Sequence, residues 1–346
     1  MTPSFSAPER RRRTAVIAPN WLGDAVMSLP AIAGLGADAD VAVLCPRYTA
    51  RVFWGAPGVA EVWVDGAAGR LSRIRERARA LRAYGTSAAL VLPPSLSSAL
   101  GPWLAGVRTR VGFASDGRRP LLSEAPAVPP RTLHLSEAYR QLSWRLGAPP
   151  GGSGDPRLRV SAAEREAVAA RLSHAGVGGD YVVVVPGAAF GPAKAWPWER
   201  YNDLCGRLAR DVPVVVTGGS GDRGVCERVA GGRAGVVNLA GDTTLGEFFA
   251  LVKGARALVA NDSGAPHVSA ALATPTVVLF GSTAPAWTAP RGGPVQVLQH
   301  AVHCNPCFRR RCPTQLECFN GIAVEDVEAG VRAFLARPAA GVTPRA

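Results

Sequence analysis

No stretch of this chain approaches the ~18–20 uncharged apolar residues that span a bilayer, so nothing in it reads as a membrane-crossing helix. The start also lacks a secretory core of ~7–15 apolar residues, because Pro19, Asn20 and Asp24 interrupt the run after Thr14. That run reads instead as a buried strand, 14–18, behind a disordered basic arm, 1–13. The expectation is a soluble cytoplasmic protein whose cysteines stay reduced. Lysine is nearly absent: Lys194 and Lys253 are the only two among 39 basic residues, which leaves 37 arginines. With 26 acidic residues the formal net charge is +13. Such a surface attracts phosphates, nucleic acid or an anionic membrane face. The arginine clusters at 10–13, 108–119 and 309–311 lack regular interleaving with aromatics, and no nucleic-acid module is recognisable, which argues against a nucleic-acid partner.

What is present is globular. Hydrophobic residues make up 47% and charged residues 19%, a balance that excludes a disordered or collagen-like chain. A length of 346 residues exceeds the roughly 250–300 that one core serves, and predicts two domains. Apolar runs near 14–18, 41–45, 61–64, 88–92 and 107–111, then 181–185, 213–217, 256–260 and 275–280, read as strands. Helical patterns lie near 25–29, 70–83, 198–209, 245–253 and 264–272. The strand runs are apolar on both sides, as when helices cover both faces of a parallel sheet. The turn-rich Ala148–Pro156 divides the halves. The prediction is α/β: an N-terminal Rossmann-like domain over 14–150, a linker at 151–160, and a C-terminal one over 161–346. The two doubly wound domains face a cleft, with ligands at the carboxyl ends of the strands.

Three segments can carry chemistry. In Asn20–Asp24, Asp24 either caps the helix that follows or, facing the cleft, acts as a general base. In Pro186–Pro197, Lys194 sits on a Gly/Pro-fixed loop after a strand; it is either a solvated lysine or a compact ammonium held at a phosphate. In Ala257–His267, a strand runs into a short helix whose first amides form an anion site, with Ser263 and Gly264 offered to a diphosphate. His267, one turn on, either hydrogen-bonds the same group or packs between helix and sheet.

Taken in order, NWLGDAVMSLPAI, LPPSLSSAL, PGAAFGPAKAWPWERY and NDSGAPHVSAALATPTVVLFGSTAP resemble the bacterial ADP-heptose:lipopolysaccharide heptosyltransferases, over residues 14–335. The GPAK-WP form and the late cysteines are more similar to the second type than the first. The resemblance implies a GT-B fold and an inverting, metal-independent transfer of heptose from ADP-heptose to heptosyl-Kdo-lipid A or Kdo-lipid A at the anionic inner membrane face. It also allows the last helix to lie back on the N-terminal half. Carried over by position, Asp24 becomes the general base, and Lys194 and Gly187 border the nucleotide phosphates. Asp262 meets the heptose hydroxyls, while Ser263, Gly264 and His267 meet the diphosphate. Asp222 lies on the ribose, Thr243 beside the adenine, and Ser95, Ser98 and the Arg108–Arg119 run on the acceptor side. Pro94, where the family usually has Asn, departs from the pattern. The competing readings are a first-type or other surface-glycan transferase, and a non-catalytic nucleotide- or nucleic-acid-binding protein.

No Asp-x-Asp pair follows a strand in the cleft loops, so the chemistry requires no catalytic cofactor. Cys304, Cys307, Cys312 and Cys318 form C-x2-C-x4-C-x5-C, either a structural zinc site or free thiols. Trp63, Trp103, Trp144 and Trp287 read as core or cleft-wall residues.

Overall fold

The computed structural model describes residues 11–66, 69–152 and 154–338. The chain separates into two compact units, 1–154 and 155–346.

In the first unit the elements run β1 (Arg12–Ile17), α1 (Leu22–Leu35), β2 (Ala39–Cys45), α2 (Ala50–Phe53), β3 (Val59–Val64), α3 (Arg70–Tyr84), β4 (Ala88–Val91), α4 (Leu96–Leu104), β5 (Thr109–Val111) and α5 (Leu135–Trp144). The strands form one parallel sheet in the order β3-β2-β1-β4-β5. Neighbours out of sequence order require crossovers, and helices supply them. Helix α3 turns Ile74, Ala78 and Leu81 inward, an i, i+4, i+7 stripe. Leu81 and Ala99 of α4 meet Ile17 and Val91 of the sheet, while α1 and α5 pack on each other as a second pair. The basic arm expected over 1–13 lies outside the described residues up to residue 10. Beyond that it is ordered: Arg11 donates to the carbonyls of Gly36 and Ala37 at 2.7 and 2.8 Å, and Arg12 already pairs with Ala39 in the sheet.

The second unit runs α6 (Ala162–His174), β6 (Val182–Val185), α7 (Trp198–Leu208), β7 (Val214–Val216), α8 (Arg223–Ala230), β8 (Val236–Asn238), α9 (Leu245–Gly254), β9 (Ala257–Asn261), α10 (Gly264–Ala271), β10 (Thr276–Phe280), α11 (Pro285–Thr288), β11 (Val295–Gln299), α12 (Glu317–Asn320) and α13 (Val324–Leu335). Its parallel sheet has the order β11-β10-β9-β6-β7-β8. The four inner strands are buried along their length, as all-Val and Ala/Leu/Val runs covered on both faces must be. The final helix α13 packs on α7, β9 and β10. This is the doubly wound α/β class expected, with the predicted strands within two residues of those observed. Among the described residues, no helix is long and apolar enough to cross a membrane.

Candidate functional site

In both sheets the chemistry-bearing loops leave the carboxyl ends of the central strands, where open α/β sheets bind ligands. In the first unit β1 leads into Ala18–Asn20 and α1 opens at Leu22, with Trp21 at its N-cap making no side-chain cap. Asp24 is therefore in the first turn of a helix beginning three residues earlier than expected, and the simple capping role falls away. The positive end of the helix dipole favours its carboxylate there. Tyr139 of α5 lies beside it. Burial, and then the Asp24 charge, push the Tyr139 phenol well above its usual range, against the opposing charge of Arg118.

Arg118 itself corrects the expectation that the whole Arg108–Arg119 run presents charge to an acceptor. Its guanidinium is fully buried and donates to the carbonyls of Phe113 and Pro93 and to the Ser98 hydroxyl, the last at 3.0 Å. Burial draws its pKa down to about 10. Arg110 is likewise spent on the carbonyls of Leu121 and Val107. These irregular loops leave carbonyls without strand partners, and the guanidinium forks satisfy them. Ser98 is corrected for the same reason: its buried hydroxyl donates to Pro93 and Ser95 carbonyls. Ser95, the N-cap of α4, is half-buried, and its hydroxyl lies 3.2 Å from that of Ser97.

The second unit assembles most of the other candidates. Lys194 is no solvated lysine. Its ammonium stands 2.5 Å from Asp262 Oδ2 and 3.3 Å from the Asp262 carbonyl, and 5.2 Å from the Phe190 ring centroid. Thr283 donates to the same Asp262 oxygen at 2.6 Å. Asp262 directly follows β9, with Ser263 as the N-cap of α10 and Gly264 as its first residue. The ammonium and the Thr283 hydroxyl are thus held on one buried carboxylate (side chain 5% exposed), directly before the first residues of α10 in the chain. His267 packs in the interior. Gly187 approaches the Asp222 carboxylate so closely that a Cβ there would lie 2.5 Å from it. Asp222 also accepts from the Gly219 amide at 2.9 Å, fixing its own turn. Thr243 is half-buried beside Thr244, the N-cap of α9.

Two residues were missed. Asn261 is fully buried, accepts from the Trp196 amide and the Tyr201 hydroxyl at 2.9 and 3.0 Å, and donates to the Pro186 carbonyl at 2.8 Å. An amide ending an otherwise apolar strand was the available signal. Thr283 carried no signal. Arg310, in the basic cluster at 309–311, serves the Lys194 turn as well: its carbonyl accepts from the Ala193 amide at 3.1 Å and its guanidinium lies 5.3 Å from the Phe190 centroid. Gly191, at φ +146°, passes so close that a Cβ would meet the Arg310 carbonyl at 2.6 Å. The cysteine loop therefore braces the turn that holds Lys194. Its four cysteines line one small cavity with Ser282 and Ala193. Among the described residues, however, no group of three or more His, Cys, Asp or Glu side chains is placed to hold a metal ion, so the zinc alternative finds no ready-made ligand set.

Known proteins resemble the chain along most of its length. The model of glycosyltransferase family 9 (heptosyltransferase) matches residues 74–317. Lipopolysaccharide heptosyltransferase 2 of Escherichia coli K12 is 30% identical over 303 residues, 82% of this chain and 87% of that protein; its Salmonella typhimurium counterpart is 31% identical over the same shares. The solved E. coli ADP-heptose LPS heptosyltransferase II superposes with a TM-score of 0.80 at 27% identity, covering 93% of this chain and 98% of that one. A glycosyl transferase family 9 structure from Veillonella parvula gives 0.82 at 20% identity, covering 94% and 97%, and bears on the fold alone.

Proposed function

The chain belongs to glycosyltransferase family 9, and from that premise we propose that it moves heptose from ADP-heptose to the lipopolysaccharide inner core, adding the second heptose to heptosyl-Kdo-lipid A at the cytoplasmic face of the inner membrane. The observation that carries this reading is the Lys194–Asp262–Thr283 constellation at the start of α10. There a cation and helix amides suit a diphosphate, and a carboxylate suits sugar hydroxyls.

The transfer is a single inverting displacement. Asp24 takes the proton from the acceptor hydroxyl, and that oxygen bonds to the anomeric carbon as the bond to the ADP oxygen breaks on the opposite side. The charge gathering on ADP is met by Lys194 and the amides of Ser263 and Gly264. Asp262 exchanges part of its present pairing for the heptose hydroxyls, so donor binding frees the ammonium toward phosphate. Protein groups carry the charge without a catalytic metal. Asp38 and Asp40, which are spaced as Asp-x-Asp, stand at the amino end of β2, away from the strand ends that bear the other groups.

Asp24→Ala should lower transfer by roughly 10²–10⁴-fold while calorimetric ADP affinity stays within about twofold. Lys194→Ala should weaken ADP by roughly tenfold or more, the worth of one charge-assisted hydrogen bond. ADP release measured with Kdo-lipid A, with and without its first heptose, tests the acceptor. Normal turnover in Asp24→Ala removes that residue from the mechanism, and equal use of both acceptors removes the second-type assignment.

A further inference from the structure

Helix α4 has an unusual outer side. Leu96, Trp103 and Leu104 are 36%, 47% and 40% exposed, with Leu100 half-buried between them. Their spacing of 0, 4, 7 and 8 places all four on one stripe, turned away from Ser98, Ala99 and Pro102, which are buried. Trp103, expected in the core or a wall, is thus about half exposed.

Beside it, α3 carries six arginines against one glutamate. Leu71, 71% exposed, shares a stripe with the exposed Arg75, Arg79 and Arg82 at spacings of 4, 4 and 3. The two helices pack together, with Gly101 close enough that a Cβ there would lie 3.2 Å from the Arg77 Cβ. Arg82 reaches across to donate to the Leu104 carbonyl, so the arginine stripe borders the apolar one. Arg77 is occupied with Asp65 at 2.5 Å. Among the described residues, Arg75 and Arg79 form no ion pair, and Arg108, just beyond α4, is also exposed.

An exposed apolar stripe with a tryptophan, edged by guanidinium groups that outnumber the carboxylates of Glu76 and Asp116, has the chemistry of an interfacial membrane contact. The geometry points to the outer surface of α3 and α4 as the face that docks on an anionic bilayer. Leu71, Leu96, Trp103 and Leu104 enter the headgroup boundary, and Arg75, Arg79, Arg82 and Arg108 lie at lipid phosphates. Helix α4 starts at the Ser95 loop, so docking brings the acceptor side of this unit to the membrane. That consequence rests on the transfer reading above; the surface itself does not.

Sedimentation of the full chain with vesicles decides it, using phosphatidylcholine alone or with about one third phosphatidylglycerol. Binding is expected only to the anionic vesicles and should weaken steeply with salt. Arg75→Glu/Arg79→Glu and Trp103→Ser/Leu104→Ser should each lose at least tenfold in vesicle affinity, with melting temperatures near that of the parent because every changed side chain is exposed. Both variants should turn over a deacylated, water-soluble acceptor normally and a vesicle-borne acceptor poorly. Unchanged vesicle binding by either variant overturns the proposal, as does equal parent binding to neutral vesicles. A dimer that both variants abolish without any change in vesicle binding overturns it too, assigning the face to a second copy. Failure of transfer with every acceptor, alongside intact lipid-dependent binding, sinks the transferase reading and leaves the docking surface standing.

Discussion

Asn261 holds three backbone or side-chain partners from inside the core of the second unit, tying the end of β6 and the Lys194–Trp196 turn to β9. Its position next to Asp262 means that the carboxylate and its lysine partner are located by one buried amide. Asn261→Leu keeps much of the volume but leaves the Trp196 amide, the Tyr201 hydroxyl and the Pro186 carbonyl buried without partners. That should cost about 3 kcal/mol in urea unfolding and weaken ADP by roughly tenfold, because the turn carrying Lys194 loosens. Tyr201→Phe removes only one of these bonds and should cost about 1 kcal/mol, with ADP binding nearly intact. Parent-like ADP affinity in Asn261→Leu would mean that the turn positions Lys194 without this clamp. At this scale the sequence was legible for residue type and not for pairing. Lys194 stood out by rarity, yet its partner lies 68 residues away and only the sheet brings the two together. Arg118 was misjudged because an arginine among arginines gives no sign of which one the loop carbonyls will enclose.

The elements were legible where burial leaves no alternative pattern. Val182–Val185 and Thr276–Phe280 are apolar throughout because helices cover both faces. The strands that escaped, Val236–Asn238 and Val295–Gln299, are the two edges of the second sheet. They are short and half-exposed, so neither an alternation nor a continuous run develops. Caps were more informative than they first looked. Thr244 and Glu247 close a reciprocal box at the start of α9: the Thr244 amide donates to Glu247 at 2.6 Å and the Glu247 amide to the Thr244 hydroxyl at 3.2 Å. Arg171 of α6 donates to the same carboxylate at 3.1 Å. The Thr244 amide above all holds Glu247 below its ordinary value of 4.5; burial opposes it, and the Thr244 hydroxyl and Arg171 add to the lowering. Because the folded-state value is the lower one, this contribution is complete above 4.5 and disappears as pH falls through the folded pKa. Thr244→Ala should cost about 1 kcal/mol. Glu247→Gln should be less stable than the parent at about pH 6, and the gap should narrow as pH falls below 4.5. A stability gap that persisted or widened toward acid would place the effect outside this carboxylate.

At the scale of the whole molecule, each unit has its own sheet and its own buried cluster, Ile17 with Val91 in the first and Val184 with Phe319 in the second. A core of that kind is what lets a segment fold by itself. The residues assigned to ADP, namely Gly187, Lys194, Asp222, Thr243, Ser263, Gly264 and His267, all belong to the second unit. The assigned base, Asp24, belongs to the first. Nucleotide recognition and proton abstraction should therefore separate when the chain is cut between Gly154 and Asp155. Residues 155–346 alone should melt cooperatively and bind ADP within roughly tenfold of the intact chain, since no assigned contact is lost. ADP at about 100 times its Kd should then stabilise that fragment by about 2.7 kcal/mol, read as a shift in the urea midpoint. The fragment 1–154 should show no such shift, and neither piece should release ADP from ADP-heptose in the presence of acceptor. Lys194→Ala in the isolated second unit should reduce the ADP shift as it does in the full chain. If the folded fragment ignores ADP while the intact chain binds it, the nucleotide must draw essential contacts from the first unit. The assignment of the diphosphate to the start of α10 would then be incomplete.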